Sequence, residues 1–390
     1  MHKSLFQPAS PRRVRRPPGG RTTRVVQDFT VVALLMQAMA CTNGVGTGEV
    51  STGLSADSDA AGVIDLPVSF NVYNVNGSKV PCLSDSAAYT VRGHLVAPAA
   101  ALAPGQGDGA ATLYLHGSGN GEQIDFRSTV PGQNWAVEMA KLGQVSVTID
   151  RLGFGASGLP DGLMVCVGSQ ADVVHQVVAA LRSGGYAIAG GVAPRFEKVV
   201  LAAISFGGGE AAVEAYSFKD VDALIQLSTA FDQGLSPAAT LDLATNPNGS
   251  LQTCPRGGDP KYPDGSGPGN YTYVVKDRTD LLFYNAEPAA VETFVRGWER
   301  EPCGEGASLA AMLAADRLYL GDITIPVLLV FADHDALFPP PDGEREKALY
   351  TGSQDVTLIQ VANTGHGLPL ERTAPIMRAA LADWLSARGF

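Results

Sequence analysis

Short apolar runs recur along this chain, and most are separated by segments with a helical stripe. The runs are Ala111 to Leu115, Val145 to Asp150, Val199 to Ile204, Val221 to Leu227, Pro326 to Phe331 and Val356 to Val361. Each is a near-continuous block, the pattern of a strand covered on both faces. Between or after them, Trp135 to Leu142, Ser169 to Arg182 and Thr373 to Arg388 repeat apolar residues every three or four positions. Val173, Val174, Val177, Val178 and Leu181 form one such stripe, with Ser169 as its expected N-cap and His175 as a surface or packed residue. Upstream, alternation in Val68 to Val75 and Tyr89 to Ala97 predicts two antiparallel strands around a turn near Gly77. Strands alternating with helices imply an α/β domain with a mostly parallel sheet. A sheet of that kind presents its chemistry at the carboxyl ends of its strands.

The regular pattern fails in two places. From Ser228 to about Asp322 the chain turns rich in Pro, Gly and Asn before helical patterns at Glu287 to Trp298 and Ser308 to Leu318. Residues 229–322 are therefore expected to be an insertion between core strands that folds as a cap or lid. At the other end, residues 1–41 hold seven basic residues against a single Asp28, or +6 of a net charge of −11, which leaves the remainder at −17. That acidity argues against nucleic acid or an anionic membrane surface as partner. The basic residues lead into the apolar stretch Phe29 to Ala40, too short to span a bilayer, and the segment reads as an export signal. A basic tail on a cytosolic protein is the alternative. The Ala40-Cys41 junction resembles a bacterial lipoprotein cleavage box, with Met39 as a departure, so a Cys41 membrane tether and plain secretion both stay open. Residues 42–65 are small and polar, as a flexible tether is.

Cys82, Cys166, Cys254 and Cys303 remain once Cys41 is set aside. Four cysteines in an exported chain favour two disulfides with three connectivities. Pairing Cys82 with Cys166 and Cys254 with Cys303 is preferred, because the second pair then lies within one insertion. In a cytosolic protein the same four would be buried thiols. No metal, nucleotide or flavin signature is present, so no cofactor is expected, and nothing in the sequence fixes an oligomeric state.

The chemistry is concentrated where strands end. The run Val199 to Ile204 delivers Ser205 between Ala203 and Gly207, followed by Gly208, Gly209 and a helical pattern. A strand, a sharp turn and a helix in that order hold an apical serine in strained geometry with its hydroxyl exposed. A helix N-cap serine is the plain alternative. Ala111 to Leu115 runs into His116-Gly117-Ser118-Gly119, where glycines let backbone amides face a site, though alone this is a glycine-rich turn. Pro326 to Phe331 ends in Ala332-Asp333-His334-Asp335, and the last strand in Asn363-Thr364-Gly365-His366-Gly367.

In these four matches, HGSG at 116–119, DRLGFGASG at 150–158, AISFGG at 203–208 and the pair Asp335 and His366, the chain resembles the α/β-hydrolase superfamily over residues 66–390. Within it the chain looks most like secreted actinobacterial hydrolases of undefined substrate. The resemblance implies an α/β-hydrolase core over 66–228 and 323–390. It also implies a triad of Ser205 as nucleophile, His366 as base and Asp335 as the orienting acid, with an oxyanion hole from the amides of Phe206 and Ser118. Asp333 neighbours Asp335, and Asp232 is the other acid to weigh. His334 is badly placed to serve Asp335, and His116 is expected to support the oxyanion loop. Ala203 stands where the family has glycine. A serine nucleophile points to acyl transfer on a small-molecule carboxylic ester by a secreted or surface-tethered bacterial enzyme. A peptidase or amidase of the same fold is one alternative, with acidic residues of the insertion receiving a substrate amine. A non-catalytic surface-binding relative is the other.

Overall fold

A computed structural model of the chain describes residues 62–103, 109–230, 235–237, 240, 241, 245, 250–274 and 278–390. The chain divides into units 1–56 and 57–390. The expected export signal, Cys41 and most of the expected tether lie outside the described residues, as does Asp232.

Nine strands make one sheet. They are β1 (Val63–Tyr73), β2 (Ala88–Pro98), β3 (Ala110–Leu115), β4 (Ser146–Ile149), β5 (Ala187–Ile188), β6 (Lys198–Ile204), β7 (Ala223–Leu227), β10 (Val327–Ala332) and β11 (Val356–Val361), in the order β11-β10-β7-β6-β3-β4-β2-β1-β5. β8 (Tyr271–Thr272) and β9 (Glu301–Pro302) form a separate antiparallel pair. The six strands from β11 to β4 run parallel, and β1, β2 and β5 extend one edge antiparallel. This is the mostly parallel, helix-flanked sheet of an α/β-hydrolase fold.

Alternation along the buried strands divides the core. Leu201 and Ala203 of β6, with Leu329 and Phe331 of β10, face one cluster; Val200, Ala202 and Ile204, with Leu328 and Val330, face the other. The first face packs the helices Val167–Ser183 and Phe206–Phe218, and the second packs Trp135–Lys141 and Ala374–Ser386. A buried strand covered on both sides needs no polar face, which is why these runs look unbroken in the sequence.

Several details differ from the sequence-based expectations. β1 starts at Val63, so the last three residues of the expected tether are sheet, paired with Asp65 opposite Val96. The helix expected to start at Ser169 starts at Val167 with Cys166 as its cap, and Ser169 returns the bond, Oγ accepting from the Cys166 N–H at 3.1 Å. Serine three residues inside the cap closes a reciprocal box, so its polar character marks the first turn but not its edge. The helix expected from Ser308 begins at Cys303, after Pro302. Its glycine-rich opening, CGEG, carries no helical stripe. The short helix Asp342–Lys347 has no counterpart among the expected elements.

Disulfides join Cys82 to Cys166 and Cys254 to Cys303. The first ties the β1–β2 connection to the start of a core helix. The second ties two parts of the segment between β7 and β10. Among the described residues, no helix is long and apolar enough to cross a membrane.

Candidate active site

Ser205 sits at the turn between β6 and the helix Phe206–Phe218 with φ 53° and ψ −123°. A β-carbon in that region is strained, and the surroundings hold it there. The Ser205 N–H donates to the Leu227 carbonyl at 3.0 Å, and its carbonyl accepts from the Gly208 N–H at 2.9 Å and the Thr229 hydroxyl at 3.1 Å. Close packing explains the glycine two residues on: a β-carbon on Gly207 would meet the His116 carbonyl oxygen at 2.4 Å. Ser205 is the N-cap residue of this helix by position, but its side chain makes no capping bond.

His366 and Asp335 arrive from β11 and β10. The Asp335 carboxylate is buried and accepts from the His366 Nδ1 at 2.9 and 3.1 Å. Its Oδ1 also accepts from the N–H groups of Leu337 and Phe338 at 2.8 and 2.9 Å. Burial alone would raise its pKa, but the opposing charge and hydrogen bond of His366, with the Phe338 amide, hold it below the ordinary carboxylate value. Asp333 bonds elsewhere. Its carboxylate accepts from the Thr364 N–H at 3.1 Å and so pins the loop that carries His366. His334 stacks on Tyr284 with ring centroids 3.6 Å apart, away from Asp335's imidazole partner.

The loop after β3 lies directly against the serine. A β-carbon on Gly117 would meet the Ser205 Cβ at 3.3 Å. His116, fully buried, supports this loop through Nδ1 against the Gly117 carbonyl at 2.9 Å, while Nε2 accepts from the Arg151 N–H at 3.0 Å. Both nitrogens are thus used by backbone. Burial, then the nearby Arg151 cation, push its pKa well down and make the ring a weak base. Ser118 and Phe206, the expected oxyanion donors, line one cavity with Ser205 and His366. Phe206 is the first residue of its helix, where the dipole favours negative charge.

Several residues of this site escape a reading of the sequence. Asp125 accepts from the Gly117 N–H at 2.9 Å and the Asn120 amide at 3.1 Å, and so fixes the loop's course. Burial raises its pKa despite those two bonds. Arg151, from the DRLGFGASG turn, is buried with Glu210 and Glu305; its Nη1 donates to Glu305 at 2.8 Å and its Nη2 to the Gly117 carbonyl at 3.1 Å. Glu301 and Glu305 reach the cavity from the segment between β7 and β10. Its volume is about 120 Å³, and most of the wall is apolar, including Leu282, Phe294, Leu309 and Phe338.

One further cluster lies elsewhere. His175, Glu214 and Asp220 each offer a ligand atom within 4.8 Å of the others. Nδ1 of His175 is bonded to Asp220 at 2.7 Å, and burial, then the hydrogen bond with Asp220, push the Glu214 carboxyl well up.

A family model described as the alpha/beta hydrolase family matches residues 113–379. No curated protein matches the sequence. Solved structures similar to this chain include the monoacylglycerol lipase of Paleococcus ferrophilus, with TM-score 0.50 and 18% identity over 72% of this chain and 96% of that one. A thermophilic esterase from Thermogutta terrifontis gives TM-score 0.50 and 18% identity over 82% and 100%. An esterase from Exiguobacterium antarcticum gives 0.52 and 17% over 76% and 96%. At such identities the likeness establishes the fold.

Proposed function

The chain belongs to the alpha/beta hydrolase family, and on that premise we propose that it is a serine hydrolase cleaving a carboxylic ester through an acyl-enzyme. The observation that carries this reading is the strained turn at Ser205 opening on the same cavity as an imidazole held by a buried aspartate. In this mechanism the Ser205 Oγ attacks the ester carbonyl carbon as His366 takes its proton on Nε2. Asp335 keeps the Nδ1 proton in place and stabilises the imidazolium. The amides of Phe206 and Ser118 receive the oxyanion, the alkoxide leaves with the proton from His366, and water then releases the acid by the same steps. Esterase and lipase activities named for the similar structures are consistent with an ester substrate.

Residues 229–322 serve as a cap in this reading, since Glu301, Glu305, Phe294 and Leu309 of that segment contribute to the cavity wall. A space of about 120 Å³ is close to an engineered cavity of ~150 Å³ that admits benzene. That space accommodates a short acyl chain. Two disulfides fit an oxidising compartment, in keeping with residues 1–41 as an export signal and Cys41 as the lipidation candidate.

The test is hydrolysis of p-nitrophenyl esters from acetate to palmitate by the protein and by Ser205→Ala. Turnover that peaks at short chains and disappears in the variant supports the reading. Equal turnover by both proteins overturns it.

A further inference from the structure

The cavity beside Ser205 holds more hydrogen-bond acceptors than the protein satisfies. Glu301, Glu305 and Asn120 all line it, all are buried, and each keeps one oxygen without a partner: Glu301 Oε1, Glu305 Oε2 and Asn120 Oδ1. Their other polar atoms are engaged. Glu305 Oε1 accepts from Arg151 and from the Gln170 amide at 2.8 and 2.9 Å, and the Asn120 amide donates to Asp125 at 3.1 Å. A hydrogen bond from the Ser118 hydroxyl serves the Glu301 carboxyl.

The terminal donors of the two nearby cations, Arg151 and Lys261, are engaged, while Arg151 Nε and Trp298 Nε1 are buried without a partner. Arg151 is taken by Glu210, Glu305 and the Gly117 carbonyl, and Lys261 by Glu299 at 2.8 Å and the Arg300 carbonyl at 2.6 Å. An unpaired buried acceptor is costly, and these three belong to residues that line one cavity. Water meets the need in an empty site, but a ligand that displaces the water must bring donors of its own. Burial, then the neighbouring Glu305, push the Glu301 carboxyl up to about 8.

We propose that the substrate carries a hydrogen-bond donor, an ammonium or a hydroxyl, within a few bonds of its ester carbonyl, and that Glu301 with Glu305 and Asn120 selects for it. The placement near the carbonyl follows from Ser118, which touches Glu301 and belongs to the loop against Ser205. This inference rests on the serine hydrolase reading and names the substrate class for the same site. A pocket built to bond an N–H or O–H rejects analogues lacking it far more strongly than it rejects a missing methylene.

The experiment compares six esters by pH-stat at pH 7. Methyl pentanoate, methyl 2-hydroxypentanoate and methyl 2-aminopentanoate vary the acyl side; propyl, 2-hydroxyethyl and 2-aminoethyl pentanoate vary the alcohol side. On at least one side the donor-bearing esters are expected to exceed the donor-free one by about tenfold or more in kcat/KM. That preference falls below about threefold in Glu301→Met and is partly kept in Glu301→Gln. The ammonium and hydroxyl arms report which donor is preferred. Turnover with no donor preference on either side, or a preference unchanged in both variants, overturns the inference and leaves the hydrolase reading intact. Absence of all turnover counts against the hydrolase reading instead. In that event thermal shifts of Ser205→Ala with the same esters decide: greater stabilisation by donor-bearing esters, lost on adding Glu301→Met, supports the inference, and equal shifts overturn it.

Discussion

Replacing Asp335 by Asn separates an orienting role from a merely structural one. The Asp335 Oδ1 accepts from two backbone N–H groups, Leu337 at 2.8 Å and Phe338 at 2.9 Å, and Oδ2 is the nearer oxygen to His366 Nδ1, at 2.9 Å. An asparagine would keep its oxygen on the two amides, leaving its NH₂ toward the imidazole. Nδ1 must then accept, so the ring proton moves to Nε2, the nitrogen that has to receive the serine proton. Loss of the correct tautomer lowers kcat by about 10⁴, equivalent to ~5 kcal/mol of transition-state stabilisation. KM should move by less than about threefold, because the lost interaction belongs to the transition state. Stability should fall by only ~1.5–3 kcal/mol, the range for one bond to a charged group. Asp333 supplies the control: its carboxylate bonds the Thr364 amide and not the imidazole, so Asp333→Asn should cost less than about tenfold. Steady-state kinetics on p-nitrophenyl butyrate, with thermal melts of each variant, read both effects. Asp335→Asn retaining a tenth of the activity, or Asp333→Asn losing more than it, would refute the reasoning.

Asp125→Ala frees the Gly117 amide that shapes the loop against Ser205, and kcat should drop about 10²-fold with little change in KM, as for loss of an oxyanion donor; an unchanged kcat in a folded variant would exclude this positioning role. Cys254→Ser with Cys303→Ser opens a link spanning 49 residues, and the chain-entropy cost of about 4 kcal/mol should appear as a Tm below the parent's, read by calorimetry of both proteins without reductant. The buried Glu301 has a folded pKa of about 8 against 4.5 ordinarily, so the folded state holds the extra proton and stability falls as pH rises across that window. Glu301→Gln removes the titration, and its Tm advantage over the parent should widen between pH 5 and pH 8; a constant gap contradicts the assignment. Asp335 has the opposite sign: its depressed pKa contributes stability above the ordinary carboxylate value of 3.8, lost as pH falls through the folded one. The Tm difference between parent and Asp335→Asn should therefore shrink on acidification below 3.8.

Most of what positions the site is legible in the sequence because it depends on local pattern. β6 and β10 are blocks of apolar residues and β11 is a mixed run, VTLIQV, and each delivers its reactive residue within a few positions of its end. The choice between Asp333 and Asp335 needs three dimensions, since it turns on which carboxylate reaches Nδ1 of His366. Asp125 carries no local signature; its value comes from folding back eight residues to the Gly117 amide. Glu301 and Glu305 lie in the least regular part of the chain, where glycine and proline mask the start of a helix. Acidic residues in that segment are expected as a class, but only the folded chain says which of them face Ser205. The antiparallel edge illustrates the reverse case: alternation in β1 and β2 reveals both strands, while their limits depend on pairing that reaches back to Val63.

The most direct test of a nucleophilic Ser205 is intact-mass and peptide mass spectrometry after treatment with a fluorophosphonate, which phosphonylates activated serines without needing the natural substrate. One adduct per chain on the peptide containing Ser205, absent in Ser205→Ala and slowed at least about 10²-fold in His366→Ala, is the predicted result. No adduct on the folded protein, or an adduct on another residue with Ser205→Ala labelled as fast as the parent, would contradict it.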